Sequence, residues 1–567
     1  MKLRTSFFNT AVLKKDITRF APLWGLYTVF MLLVLFVIRD GNSTPVAFAR
    51  EADDIMRAMG VVNFGYAGLA ALCLFGDLFK SRLAGALHAM PLRREGWFFT
   101  HLASGMLFCL IPNALGAVIS AAMLGPYAYL AYAWLGLMLM QYLCFFAIGV
   151  FSVMCTGNIL GAGAVYGLLN FLSILILWLV KCFYEPVLFG VTVQGQGLLY
   201  FSPAVGFSLH SFVEFDRELE QVVFTSVAKA GWLYAALAAL VGVGLLTAAL
   251  FIYRKRQLES AGDFIAFRPA GPVFLVLYAL CVGALLYLFA EAVGNEGMKT
   301  GFLLIGLAIG WFTGLMLLQK RVNVFRVKTC VGFGVLVFAF FLSVSVAWLD
   351  PIGITRYVPE AGQVKSVMVA PYTSDYYFGA HSAYVTDEAT IERLTQIHQR
   401  LVERRSENGA HMVLRLRYTM KTGVETERQY RINVNSEDGQ WLKTVYSRPE
   451  AVLGSGDLGA MKRAIRYGEA YGFAEELMVY PETKDFWKIE PEDHAGLLDA
   501  LYADCQAGNM AQMWEYHEGE KHVANLNIQI GQGSYRDILV FESSVNTVAY
   551  LKTLAAKQVE ANLQPTE

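Results

Sequence analysis

The chain has 567 residues, of which 56% are hydrophobic and only 16% charged, and its mean hydropathy is +0.43. A soluble globular protein of this length carries more charge and less apolar surface, so composition excludes that class and places much of the chain in lipid. The net charge of −1 hides a split: residues 1–350 hold 24 Lys and Arg against 17 Asp and Glu, while residues 351–567 hold 22 against 30, which implies two parts in two different solvents.

Residues 1–19 are basic and contain Phe7, Phe8, Val12, Leu13 and Ile17, a pattern that predicts a helix lying on the inner membrane surface. A spanning helix needs roughly 20 apolar residues to cross a hydrocarbon core of about 30 Å. Nine stretches qualify, at 20–38, 60–79, 98–123, 128–154, 159–181, 231–253, 272–290, 301–319 and 329–349. The first is of full spanning length, and the Ala47-Phe48-Ala49 triplet lies well beyond its end, so a cleaved signal peptide is not expected. With the N-terminus inside, the inner segments hold Lys14, Lys15, Arg19, Lys80, Arg82, Arg93, Arg94, Arg254, Lys255, Arg256, Lys320, Arg321 and Arg326, and the outer loops hold far fewer basic residues. This asymmetry fixes the expected orientation, because loops that remain in the cytoplasm retain Lys and Arg. An odd number of spans then puts everything after Leu349 outside.

The inner loop between spans two and three carries Leu83, Leu87 and Met90 at helical spacing and then Pro91, which cannot donate the next backbone hydrogen bond. A short amphipathic helix over about 81–90 is expected, its apolar stripe facing a partner, the headgroups or the protein's own helices. The loop at 182–230 is long and external, either a lid over the outer mouth or a solvated connector. A second inner loop, Tyr253 to Pro269, contains Arg254 and Arg256, whose charge follows from the orientation alone, and then Leu258, Glu259, Gly262 and Asp263, which suggest an ordered turn. Asp77, Asn63, Asn113, Gln141 and Asn170 fall in or near spans, where polar groups mark a pathway or hold helices together.

From Asp350 the pattern is that of an α+β domain. Alternating stretches at 364–370, 412–420, 425–434, 523–530 and 536–541 read as strands, with Lys421-Thr422-Gly423 closing a hairpin. Amphipathic helices are expected at 388–405, 460–471, 492–507 and 545–557. The histidines of His517 to His522 stand five apart, which fits a polar hairpin tip better than a helical zinc pair. Seven of the eight cysteines lie in or beside apolar runs, and the tail has only Cys505, so no disulfide can form within it. The sequence contains no G-x-x-x-x-G-K-[ST] phosphate loop, so any ATP used would be hydrolysed on another chain.

A basic surface segment, two spans, an inner loop of the form R-L-x-x-x-L-H-x-x-P-x-R-R and four further spans together resemble the membrane subunit of an ATP-binding cassette (ABC) exporter of the type 2 permease family. The segment FFNTAVLKKDITRFAPLWGLY and the loop YRKRQLESAGDFIAF are similar to a subgroup common in Gram-positive bacteria, in which extra spans and an external domain follow a six-span core. The resemblance covers about residues 5–270. It implies a permease core over 20–270, three additional spans over 271–349 and an extracytoplasmic α+β domain over 350–567. It also implies a coupling helix near 81–90, in which Arg82, Leu83, Leu87, His88, Met90, Pro91, Arg93 and Arg94 meet a separate ATPase, and a second loop contributing Arg254, Arg256, Glu259 and Asp263. The implied partners are an ABC ATPase, a second permease copy or related chain, and the lipid bilayer, with no nucleic acid, no metal and no cofactor beyond the partner's ATP. A bacterial plasma membrane exporter of a peptide, antibiotic, lipid or cell-wall compound is the expected function. The rival is a membrane-anchored receptor with an external ligand-binding domain.

Overall fold

The computed structural model describes residues 8–40, 45–83, 93–124, 128–193, 195–213, 228–256, 262–265, 269–294, 296–372, 383–404, 411–454, 456–464, 470–473, 487–511, 519–529 and 535–563. The chain divides into two compact units, Met1–Phe183 with Gly195–Val344, and Tyr184–Gln194 with Ser345–Glu567.

The described elements of the first unit are helices. It comprises α1 (Thr10–Arg19), α2 (Ala21–Asp40), α3 (Pro45–Phe75), α4 (Arg94–Leu124), α5 (Ala128–Cys155), α6 (Ile159–Phe183), α7 (Pro203–Leu209), α8 (Lys229–Lys255), α9 (Ala270–Ala292), α10 (Lys299–Gln319) and α11 (Val327–Leu349). Among the described residues eight helices are long and apolar enough to cross a membrane, and α1 with α2, bent by 61° at Phe20, makes a ninth candidate. The chain is therefore a polytopic helical protein of membrane type. The sequence places the second span at 60–79, whereas α3 starts at Pro45, because the charged stretch from Arg50 to Arg57 continues the same helix.

In lipid the apolar side chains gain little from leaving their solvent, so helices associate through close packing and polar contacts. The centre of the unit follows that rule: Tyr142, Phe145, Phe146, Val150, Val153 and Met154 of α5 are fully buried. Helix α10 carries Gly306, Gly310 and Gly314 four residues apart, and a Cβ on Gly306 or Gly310 would stand 2.8 Å or 2.7 Å from the backbone of Gly283 or Ala279 on α9. Only hydrogen at these positions lets the two backbones approach that closely. By contrast, Phe340 is the sole buried residue of α11.

The second unit contains a repeated plan that sequence reading treats as a single α+β domain. Its first half runs β1 (Val364–Tyr372), β2 (Ala383–Val385), α12 (Glu388–Arg404), β3 (His411–Met420), β4 (Glu425–Asn433) and α13 (Glu437–Tyr446). After a short helix α14 (Leu458–Ala464), the second half runs β5 (Ala470–Phe473), β6 (Trp487–Lys488), α15 (His494–Ala507), β7 (His522–Gln529), β8 (Tyr535–Phe541) and α16 (Val545–Leu563). Both sheets are antiparallel, with orders β2-β1-β3-β4 and β6-β5-β7-β8. These are the same ββαββα topology used twice. The repeat reaches individual side chains: the buried positions Ile391, Leu394, Ile397 and His398 of α12 recur as Leu498, Leu501, Asp504 and Cys505 of α15, each 107 residues later.

Five expected strands and three of the four expected tail helices appear close to the positions the alternation suggests. The helix expected over 460–471 is corrected: it is described over Leu458–Ala464, whereas Ala470 and Tyr471 belong to β5, which pairs with β7, and 465–469 lie outside the described residues. The β3–β4 hairpin turns at Gly423, whose φ of +84° suits a residue without a Cβ.

Candidate functional site at the basic end of the helical unit

The two loops singled out from the sequence converge where α4 begins and α8 ends. The Arg93 carbonyl accepts the Trp97 N–H at 3.1 Å and so opens α4, and the Arg93 side chain is exposed. Arg94 reaches from the first turn of α4 to the carbonyls of Arg254 and Arg256 at 3.3 and 3.4 Å. Arg254 in turn lies 3.1 Å from Glu95. Trp97 stacks on Tyr253 with ring centroids 5.7 Å apart. A guanidinium on the last carbonyls of a helix satisfies groups that have no partner inside it, which is why two arginines serve at this junction.

The loop after α8 is also keyed into the turn between α5 and α6. Arg256 donates to the Val153 and Met154 carbonyls at 2.8 and 3.3 Å, closing the C-terminus of α5. Gly157 N–H donates to the Asp263 carbonyl at 2.8 Å and Gly262 N–H to the Gly157 carbonyl at 2.6 Å. The Asp263 carboxylate pairs with Lys320, just beyond α10, at 2.7 Å. Of the turn expected over Leu258, Glu259, Gly262 and Asp263, the last two are held by these bonds and the first two lie outside the described residues; together with Arg94 these contacts join α4, α5, α6, α8 and α10 at one end.

Helix α1 is latched to the same end by contacts that sequence reading did not find. Asn9 caps α1 by accepting from Ala11 and Val12 N–H, while its own N–H donates to the Thr100 hydroxyl at 3.1 Å. Asp16 and His101 are both buried and lie 2.6 Å apart, Oδ2 to Nδ1. The two groups are in close contact without the geometry of an aligned hydrogen bond. Ser104 completes the set by donating to Asp16 at 2.8 Å. His101 is walled by Trp97, 4.2 Å away edge-on, and by Phe75. Arg19 pairs with Asp77 at 3.4 Å, and Trp24 Nε1 donates to the Ile17 carbonyl across the bend between α1 and α2. The available signal was the lone acid of a basic segment, Asp16, together with a histidine four residues into the apolar run at 98–123. Ionisable groups in such places require partners.

Of the residues expected to meet a partner, Arg82 and Leu83 are exposed, with Leu83 at 40%. Leu87, His88, Met90 and Pro91, like Glu259 in the second loop, lie outside the described residues.

The polar residues of the spans form a separate, interior cluster. Tyr27 of α2 donates to Asn63 of α3 at 2.8 Å, Asn63 donates to Gln141 of α5 at 2.9 Å, and Gln141 donates to the Met56 carbonyl. Asn113 of α4 donates to Tyr27 and accepts from Trp134 of α5. Asn63, Asn113 and Gln141 are fully buried, so this network holds four helices together; each such contact is worth about 0.6 kcal/mol in a membrane protein. Asn170 stands apart, donating within α6 while its carbonyl accepts from Ser202.

The long loop after α6 is split. Gln196 to Val213 packs with the first unit: Asp53 of α3 accepts from the N–H groups of Phe212 and Val213 at 2.6 and 3.0 Å, and Gly206 sits under Tyr234. Tyr184–Gln194 belongs to the second unit, and 214–227 lie outside the described residues. Among the described residues no three His, Cys, Asp or Glu side chains converge as a metal site. The contacts at this end are a set of cross-ties between the starts and ends of several helices. No family model, curated protein or solved structure matches the chain.

Proposed function

We propose that the chain is the membrane subunit of an ATP-driven exporter, driven by a separate ATPase that docks on the cytoplasmic end of the helices. The observation that carries this reading is the Arg94–Glu95–Arg254–Arg256 junction, directly after the loop that resembles a coupling helix. A push on that loop is delivered to the first turn of α4. Through Arg94 and Arg256 it passes to the ends of α8 and α5, and through the Asp16–His101 contact to α1. A ligand or partner shifts an equilibrium only by the difference in its affinity for the two states, and cross-ties of this kind turn a local contact into two distinct helix arrangements.

The basic excess at this end supports an orientation with α1 inside and the C-terminal unit outside. Two permease copies, or one copy and a related chain, complete the transporter, and the substrate is a peptide, lipid, antibiotic or cell-wall compound. Purification of the tagged full chain from its native membrane tests the reading. An ATPase with a phosphate loop is expected to accompany it, and Leu87→Asp should release that ATPase while leaving the chain in the membrane. A complex with no nucleotide-hydrolysing companion would overturn the proposal in favour of a membrane-anchored receptor.

A further inference from the structure

The segment Tyr184–Gln194 lies in sequence between two apolar helices, yet it folds as part of the second unit. Val191 forms an antiparallel bridge with Arg428, and Gln429 N–H donates to the Gly190 carbonyl at 3.0 Å, so the segment extends the sheet beyond its edge strand β4. Phe189 packs against the buried core of the first module, with its ring 5.6 Å from that of Tyr430. Gly190 adopts φ +71°, and a Cβ there would stand 2.1 Å from the Tyr430 ring. The contact continues inward, because the Tyr430 hydroxyl lies 2.8 Å from His398 Nε2. A plain connector does not pack a half-buried phenylalanine on a core, adopt a left-handed glycine against a ring and pair with a strand edge. Strand addition of this kind uses the unpaired groups of an edge strand.

Both ends of the segment are held in the first unit. Phe183 is buried, with its ring 4.9 Å from Phe340 and 5.9 Å from Tyr287. Gly195 sits where a Cβ would meet Leu177 at 2.2 Å. Between these anchors only eleven residues are available, with a reach of at most about 40 Å when fully extended.

We infer that Tyr184–Gln194 is a transmission strap: the position of the α6 end at Phe183 sets the order of the β4 edge in the C-terminal unit. The chain thus holds that unit at two places, through the strap and through α11, and a shift of α6 acts on β4 through Gly190 and Phe189. This goes beyond the exporter reading and does not depend on it.

Hydrogen exchange on the full chain in lipid nanodiscs tests the inference, with peptides over 425–433 reporting β4 and peptides over 535–541 as internal reference. Gly190→Val and Phe189→Ala should each lower protection of β4 about tenfold and leave β8 unchanged. Phe183→Ala, which alters only a contact inside the first unit, should lower β4 protection about threefold. Gly197→Ala, at a position with open space around it, should change neither. If Gly190→Val does not accumulate, Phe189→Ala carries the same test. Unchanged β4 protection in the strap variants would overturn the docking, and unchanged protection in Phe183→Ala alone would overturn the transmission. Neither readout involves nucleotide, so a missing ATPase leaves the outcome intact.

Discussion

The two modules of the C-terminal unit share a topology and a helix burial pattern but fill one corresponding pair of positions with opposite chemistry. In the first module His398 points from α12 into the core, with Nδ1 3.1 Å from the Tyr418 hydroxyl and Nε2 2.8 Å from that of Tyr430. In the second, the matching position is Cys505, and its neighbour Asp504 turns a carboxylate toward the next helix. Asp504 accepts from the N–H and side chain of Asn546 and from the N–H and hydroxyl of Thr547, at 2.7 to 3.1 Å. It thereby caps the first turn of α16 from outside that helix. One copy of the fold therefore uses its buried polar position to join helix to sheet, and the other to join helix to helix. The copy whose sheet carries the strap is the one that ties helix to sheet.

Removing either polar group should break only its own module, and Asp504 should cost more. Asp504→Ala strands several donors, of which the Thr547 pair is fully buried, and hydrogen bonds to a charged group are worth about 1.5 to 3 kcal/mol each. A loss of about 4 kcal/mol is expected, read as at least a hundredfold drop in exchange protection over α16 and β8 with β3 and β4 unchanged. His398→Ala leaves a cavity and two buried tyrosine hydroxyls without their partner, for about 3 kcal/mol. Here β3 and β4 should lose protection while β7 and β8 keep theirs. A drop spread evenly over both modules by either variant would mean that the two fold as one cooperative unit.

The membrane helices were legible because each is a long apolar run, and the C-terminal strands because their side chains alternate, as in Met412, Leu414, Leu416 and Tyr418. The duplication was not, because α15 answers His398 with Cys505, so spacing persists where residue identity does not. At the basic end, Arg94, Arg254, Arg256 and Asp263 could be chosen as loop residues, but their mutual contacts run across some 160 positions of sequence. Asp16 was hidden differently. On a basic surface helix an acid reads as a solvated charge, and only the docking of α1 against His101 and Ser104 turns it into a buried one. The strap was hidden because it opens the long mixed loop at 182–230, which reads from sequence as a lid or a connector.

Acid provides a gentler way to separate the modules. Burial pushes the His398 imidazole down to about 3 from its ordinary 6.5, and the nearby Arg428 guanidinium adds repulsion in the same direction. The unfolded chain then binds a proton that the folded module refuses, so stability is intact above pH 6.5. It falls by about 1.4 kcal/mol per unit as pH drops from there toward 3. Asp387 acts lower. Burial opposes its charged form, but hydrogen bonds from Thr390 and the Arg448 guanidinium hold its carboxyl below the ordinary 3.8, so its contribution is lost only beneath that value. Exchange measured at pH 5.5 and corrected for intrinsic rate should therefore show about tenfold less protection in β3 and β4 than at pH 7.5. His398→Leu should remove most of that dependence, and a pH response that survived the substitution would assign it to another group.

The finest division lies between the two tyrosines. A neutral imidazole has one donor and one acceptor nitrogen, so of Tyr418 and Tyr430 one hydroxyl must donate to His398 and the other accept from it. Tyr418→Phe and Tyr430→Phe should each cost about 1 kcal/mol, and the variant that strands the ring N–H should be the costlier of the two. Tyr430→Phe also keeps the ring against which Gly190 and Phe189 pack. If the strap is held by that ring, protection at Gln429, which donates to the Gly190 carbonyl, should fall no further than in the rest of β4. A selective loss at Gln429 would show instead that the hydroxyl pair with His398 sets the seat of the strap, making the histidine part of the link between α6 and the sheet.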